Sequence, residues 1–177
     1  IPIKKVICIV PSLYADCFLA EGAITIKNEN RCVTHKEIIK VLQAVVYNKV
    51  VDNRELVTVL PTGFRVDDGE VVANPLNLIG ERFSAKGVIV TIPKKNIEGI
   101  SHSLRKIGIE LVDVVISPLA DYYEFANKDI NKQIGALVNI GECQTIVSIF
   151  NKSILTSCEV IDIGANQIDN DLSYVYK

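Results

Sequence analysis

The chain has 177 residues, 49% of them hydrophobic and 23% charged, so it holds enough apolar material for a packed core and is not a disordered polar chain. Nineteen basic residues against 21 acidic ones leave a net charge of −2, a balance that speaks against nucleic acid as a partner. No apolar run approaches the roughly 18 residues that a membrane-spanning helix requires.

Residues 5–10 form a short, β-branched apolar run stopped by Pro11, which predicts a buried strand. Strands are predicted next at 17–20 and 23–27, with Gly22 bending the chain between them. Thr34 stands three residues before Glu37, the spacing of a capping box, and opens a helix predicted over 34–48. Its apolar stripe is Ile38, Val41, Leu42, Val45 and Val46. Strands at 55–60 and 63–66 lead into Asp67-Asp68-Gly69, which supplies the positive-φ residues of a tight reversal, and Asn74-Pro75 opens a loop. A strand over 82–92 combines alternating Phe83, Ala85 and Gly87 with the denser Val88-Ile89-Val90, and Pro93 ends it.

A second amphipathic helix carries Ile97, Ile100, Leu104 and Ile107 and stops at Gly108, with Arg105 and Lys106 in its last turn, where positive charge suits the helix dipole. Residues 111–116 read as a fully buried strand, and Ser117-Pro118 caps a short helix over about 119–126. Beyond the polar stretch 127–132, strands are predicted at 134–139, 144–150 and 154–162, with Asn151-Lys152 as a compact hairpin turn and a helix to the end. Such alternation predicts an α/β or α+β protein, with the best candidate boundary at 126–132.

Five cysteines, an odd number without any C-x-x-C pair, read as reduced thiols in a cytosol. A hairpin turning at Asn151-Lys152 sets Thr145 opposite Cys158 and Cys143 diagonal to it, with Cα atoms about 7 to 8 Å apart, which disfavours a dithiol site. His35 and His102 fall on solvated helix positions with no ligand cluster to join them, and Lys94-Lys95 and Arg105-Lys106 read as a wet helix face. The start at Ile1-Pro2-Ile3, with neither an initiator methionine nor a signal-peptide plan, leads to the expectation of an excised fragment.

Two segments carry the chemistry. In 137–146, Leu-Val-Asn-Ile-Gly-Glu-Cys-Gln-Thr-Ile, a strand, a glycine-containing turn and a second strand form a hairpin whose amides can converge on one anion, although a single hairpin glycine is also an ordinary turn residue. In 160–168, Val-Ile-Asp-Ile-Gly-Ala-Asn-Gln-Ile, a strand ends on a Gly-Ala pair that opens a helix. Read together, these segments resemble the second phosphate-binding unit of the actin-like ATPases, and within them the bacterial cell-division family typified by FtsA. The likeness continues upstream through Asn74-Pro75-Leu76, Ile79-Gly80-Glu81-Arg82-Phe83, Val88-Ile89-Val90-Thr91 and Ile116-Ser117-Pro118-Leu119-Ala120.

The resemblance implies an actin-like fold fragment carrying an inserted strand–helix–strand–strand (SHS2-like) subdomain, called 1C. Residues 1–12 and 110–133 would be parts of subdomain 1A, residues 13–109 the insertion, and residues 134–177 the start of subdomain 2A. It brings Gly141, Thr145, Gly164 and Asn166 toward the phosphate side of ATP with magnesium, in the intact protein only. The family's Asp-Ile-Gly-Gly-Gly-Thr-Thr-Asp stretch becomes Asn139 to Ile146 here. Asn139 and Ile146 each replace an acidic group, Glu142 adds negative charge, and Glu142 and Cys143 replace two glycines, so weak phosphate binding and little hydrolysis are expected.

By the same resemblance the protein is expected to be a cytoplasmic scaffold at the inner face of the membrane at the division site. It would self-associate through 1C and recruit other division proteins, while its tubulin-like partner FtsZ and the membrane are met by segments outside this chain. No catalytic or metal-ligating residue is assigned, and this chain alone is expected to have no measurable ATP affinity. The alternative is an ATPase or a sugar-kinase-like phosphotransferase of the same superfamily. A free-standing small-molecule-binding domain would require a polar-lined pocket within residues 13–109.

Overall fold

The computed structural model describes residues 3–10, 12–125 and 133–176, so the boundary expected at 126–132 lies outside the described residues. In chain order the elements are β1 (Lys5–Val10), β2 (Asp16–Thr25), α1 (His35–Val46), β3 (Arg54–Val66), β4 (Arg82–Pro93), α2 (Lys95–Lys106) and β5 (Glu110–Ile116). There follow α3 (Ser117–Phe125), β6 (Ile134–Ile140), β7 (Thr145–Asn151), β8 (Ile154–Ile161) and α4 (Asn166–Val175). The chain divides into two compact units, Cys17–Thr91 and a second made of Ile1–Asp16 with Ile92–Lys177.

The Cys17–Thr91 unit is a strand–helix–strand–strand arrangement whose sheet runs in the order β2-β4-β3. Helix α1 begins where its sequence signal lies: Thr34 is the N-cap, its hydroxyl oxygen accepts from the Lys36 amide at 3.3 Å and its proton goes to the Glu37 carboxylate. Val41 and Val45 are fully buried on the helix's apolar stripe, with Ile38, Leu42 and Val46 packed beside them. They meet Ala20, Phe64, Phe83, Ala85 and Ile89 from the sheet, and Phe64 stacks on Phe83 with ring centroids 5.8 Å apart.

Two predicted breaks in this unit are absent. Strand β2 runs through Gly22 without bending, because the glycine admits the helix: a Cβ there would overlap the backbone of Ala44 and Val45. Strand β3 runs through Pro61-Thr62 as one 13-residue element, and it lies at the sheet edge, where a missing amide can be spared from the ladder. The reversal at Asp67-Asp68-Gly69 is present, with the Gly69 amide bonded to Val66 O at 3.0 Å, but Asp67 rather than Gly69 takes the positive φ, at 49°. The Asp67 carboxylate also accepts from the Arg82 amide at 2.7 Å and the Glu81 amide at 3.1 Å, and it occupies the space a side chain at Gly80 would need. At the other end of the sheet, the Arg54 guanidinium donates to the hydroxyl and carbonyl of the buried Thr91, at 2.8 and 2.9 Å.

In the other unit β1 and β5 are parallel neighbours. Residues 111–116 were expected to be wholly buried, but only Ile116 is. This two-stranded sheet has few neighbours to cover it, so Val112 is 55% exposed and Ile7 on β1 is 64% exposed. Helix α2 packs on β5, and Gly108 closes it at φ 75°, with its amide bonded to Arg105 O and the Ile109 amide to Leu104 O, both at 3.0 Å. The division between units therefore falls at 16/17 and 91/92, whereas 12/13 and 109/110 were expected: α2 belongs with the strand it covers.

Strands β6, β7 and β8 form an antiparallel sheet in that order. Its hairpin turns at Lys152-Ser153, whose φ values of 47° and 74° suit a two-residue reversal, so Asn151 rather than Phe150 opens the pair. That turn, together with a bulge at Ile149/Phe150, sets Cys158 opposite Ser148 and Thr145 opposite Ile161, in place of the expected Thr145–Cys158 pair. Helix α3 contacts β1, β5, β6 and β8, and its Tyr122 stacks on the fully buried Phe150 at 4.5 Å between centroids. The Ser117 hydroxyl, expected as a cap, donates instead to Val10 O at 3.3 Å.

Candidate functional site

The β6–β7 turn and the start of α4 come together, and with them all four residues expected near the phosphates. Gly141 closes the turn, its amide donating to Gln144 O at 2.9 Å. The Ala165 amide donates to Gly141 O and the Asn166 amide to Glu142 O, each at 2.9 Å. Gly164 is pressed so closely on the turn that a Cβ would lie 2.7 Å from the Cys143 carbonyl carbon and overlap the carbonyl of Glu142. The Thr145 hydroxyl donates to Ile163 O at 2.7 Å, and the Asn166 side-chain amide reaches Cys143 Sγ at 3.6 Å.

Two acidic groups that spacing did not point to also lie here. Asp121, on α3, accepts from the Asn139 side-chain amide at 2.9 Å, and Asp162, at the end of β8, accepts from Gln144 at 2.8 Å. A carboxylate thus stands beside Asn139, but it comes from a helix 18 residues upstream, a proximity that local periodicity does not encode. Among the described residues there is no group of three or more His, Cys, Asp or Glu side chains able to hold a metal ion. The fit to a magnesium nucleotide is partial: the turn geometry is present, while most of its donors already have protein acceptors and Glu142 adds charge of the wrong sign.

Among the described residues no cysteine is in a disulfide, and burial pushes the Cys158 thiol above its usual pKa, opposite to what a reactive thiolate needs. His35 and His102 are both exposed. In the Cys17–Thr91 unit a groove of about 650 Å³ lies between α1 and β3, lined chiefly by Ile39, Leu42, Val46, Tyr47, Leu56 and Val59. It is apolar and lacks the polar cluster that a small-molecule site would require.

A parallel strand pair interrupted by a strand–helix–strand–strand unit, then a hairpin and third strand feeding a helix at a glycine, defines an actin-like α/β architecture with an inserted domain. The solved PilM–PilN type IV pilus biogenesis complex shares this fold, with a TM-score of 0.54 and 14% identity over 98% of this chain and 47% of that one. Residues 14–91 match the family described as the SHS2 domain inserted in FtsA.

The cell division protein FtsA of Bacillus subtilis is 28% identical over 97% of this chain, that of Enterococcus faecalis 30% over 99%, and that of Escherichia coli K12 22% over 98%. The chain is thus similar to the FtsA proteins along nearly its whole length, and it spans 39%, 40% and 41% of the lengths of these three relatives. No helix among the described residues is long and apolar enough to cross a membrane.

Proposed function

We propose that the chain is part of a cytoplasmic, actin-like scaffold of bacterial cell division, acting at the inner face of the membrane at the division site. The observation that carries this reading is the insertion itself: a unit matching the SHS2 domain inserted in FtsA, spliced in this chain between the two strands of a parallel pair. In this reading the inserted unit self-associates and the assembled protein recruits other division proteins. The exposed edges of β2 and β3 and the apolar groove beside α1 support a protein-binding role for it. FtsZ and the membrane are met by parts of the protein outside this chain.

The nucleotide motif is degenerate in this proposal, and Gly141, Thr145, Gly164 and Asn166 surround a turn that holds ATP with magnesium weakly or not at all. Phosphoryl transfer requires charge stabilisation around the moving phosphate, and this turn presents Asn139, Glu142 and Ile146 where the family carries two acids and a glycine. The test is turnover and localisation of the intact protein. Slow or absent magnesium-dependent ATP hydrolysis and a fluorescent fusion concentrated at the division site are expected. Rapid turnover with a uniformly cytoplasmic fusion would instead establish an ATPase or a sugar-kinase-like phosphotransferase.

A further inference from the structure

The hydrogen bonds around the turn divide its residues into two groups with different tasks. Each backbone amide has a single proton, and those of Gly141, Ala165, Asn166, Gln167 and Ile168 go to Gln144 O, Gly141 O, Glu142 O, Gly164 O and Ala165 O, at 2.9 to 3.1 Å. The start of α4 therefore lacks the free donors that make a helix N-terminus an anion site. The Thr145 hydroxyl has one proton as well, and Ile163 O takes it. Gly164 leaves no empty space, since the backbone of Glu142 and Cys143 fills it.

A planar trans peptide points its N–H opposite to its C=O. Because Gly141 O and Glu142 O both face α4, the amides of Glu142 and Cys143 point away from it. These two amides have no acceptor among the described residues. A phosphate reaching them would lie on the side of the turn that faces away from the backbone at the start of α4.

We propose that Thr145, Gly164 and Asn166 form a latch, binding the β6–β7 turn to the start of α4, and that none of the three touches a nucleotide. The latch sets the direction of the Glu142 and Cys143 amides by holding the carbonyls on their other side. This assignment stands on the geometry of the chain, and only the nucleotide measurement below rests on the function proposed above.

Amide hydrogen exchange, resolved by NMR on this chain, tests it. The Ala165 and Asn166 amides are expected to exchange at least tenfold more slowly than those of Glu142 and Cys143. Thr145→Val should speed exchange at Ala165 and Asn166 about threefold or more, whereas Thr145→Ser, which keeps the proton donor, should leave it within about twofold of wild type. Equal exchange in the two pairs of amides, or a Thr145→Val variant indistinguishable from wild type, would overturn the latch. In the intact protein, magnesium ATP should protect Glu142 and Cys143 and leave Ala165 and Asn166 unchanged; protection of Asn166 through its side chain or amide would also overturn it. Absence of any ATP effect at either pair selects no binding over weak binding in the function proposed above, while the latch is still judged by the exchange rates of the chain alone.

Discussion

Glu37 is a carboxylate only 5% exposed, and it remains ionised because of what it accepts. The Thr34 hydroxyl is the largest cause that lowers its pKa, with smaller contributions from the amides of Glu37 and Thr34 and from Lys40; burial acts in the opposite direction and is outweighed. Thr34→Ala is expected to cost about 1 kcal/mol, or about 4–8 °C in the unfolding midpoint of a unit this small. Because the folded pKa lies below the unfolded one, the carboxylate's share of that stability is present above the unfolded value of about 4.3 and is lost as pH falls through the folded value. Thermal unfolding of wild type and variant from pH 7 to pH 3 checks this: the gap should narrow below about pH 4, and a constant gap would assign the loss to the Lys36 amide bond alone. Asp67 is the comparable clip in the loop before β4. Asp67→Ala leaves the Glu81 and Arg82 amides without their acceptor and should cost about 1–3 kcal/mol in urea denaturation, with no change in the groove beside α1.

At the scale of elements, glycine is where sequence and structure part. Gly22 sits in an apolar run and reads as a bend, yet β2 is straight there because a helix backbone rests on the missing side chain. Gly22→Ala is expected to push α1 off the sheet and cost about 1–3 kcal/mol or more. Gly99, in α2, has nothing within 4 Å of where a Cβ would be, so Gly99→Ala should stabilise by about 0.5–1 kcal/mol. Chemical denaturation of both variants is the check, and equal effects would show that propensity rather than close approach governs Gly22.

Helices were legible because caps and stripes are local: Thr34 with Glu37, and Gly108 behind Arg105 and Lys106, mark their ends in the sequence itself. Strand register was less so. A turn placed one residue early and one unseen bulge moved Cys158 from Thr145 to Ser148. The candidate site was legible as a set, since resemblance gathered Gly141, Thr145, Gly164 and Asn166. How their protons are spent was not, because an amide's acceptor is fixed by the approach of β8 and α4 to the turn and not by residue type. Asp121 beside Asn139 was hidden for the same reason.

For the whole molecule, the decisive feature is that each unit carries its own core. Phe83 is fully buried against Phe64 and the α1 valines, and Phe150 is fully buried against Tyr122. Truncating either ring to alanine removes about 3–5 kcal/mol of packing, most of what a unit of this size possesses. Two chain crossings, at Asp16/Cys17 and Thr91/Ile92, join the units, and few covalent links between separate cores allow one to open while the other stays closed. Phe83→Ala should therefore accelerate amide exchange throughout β2, β3 and β4 up to Thr91 and leave β7 and β8 at wild-type rates, while Phe150→Ala should do the reverse. Native-state exchange of both variants distinguishes the cases, because a single cooperative body would raise both sets of rates together whichever ring is removed. An inserted unit that opens and closes on its own stability can have its surface remodelled by partners without loss of the strand pair into which it is spliced.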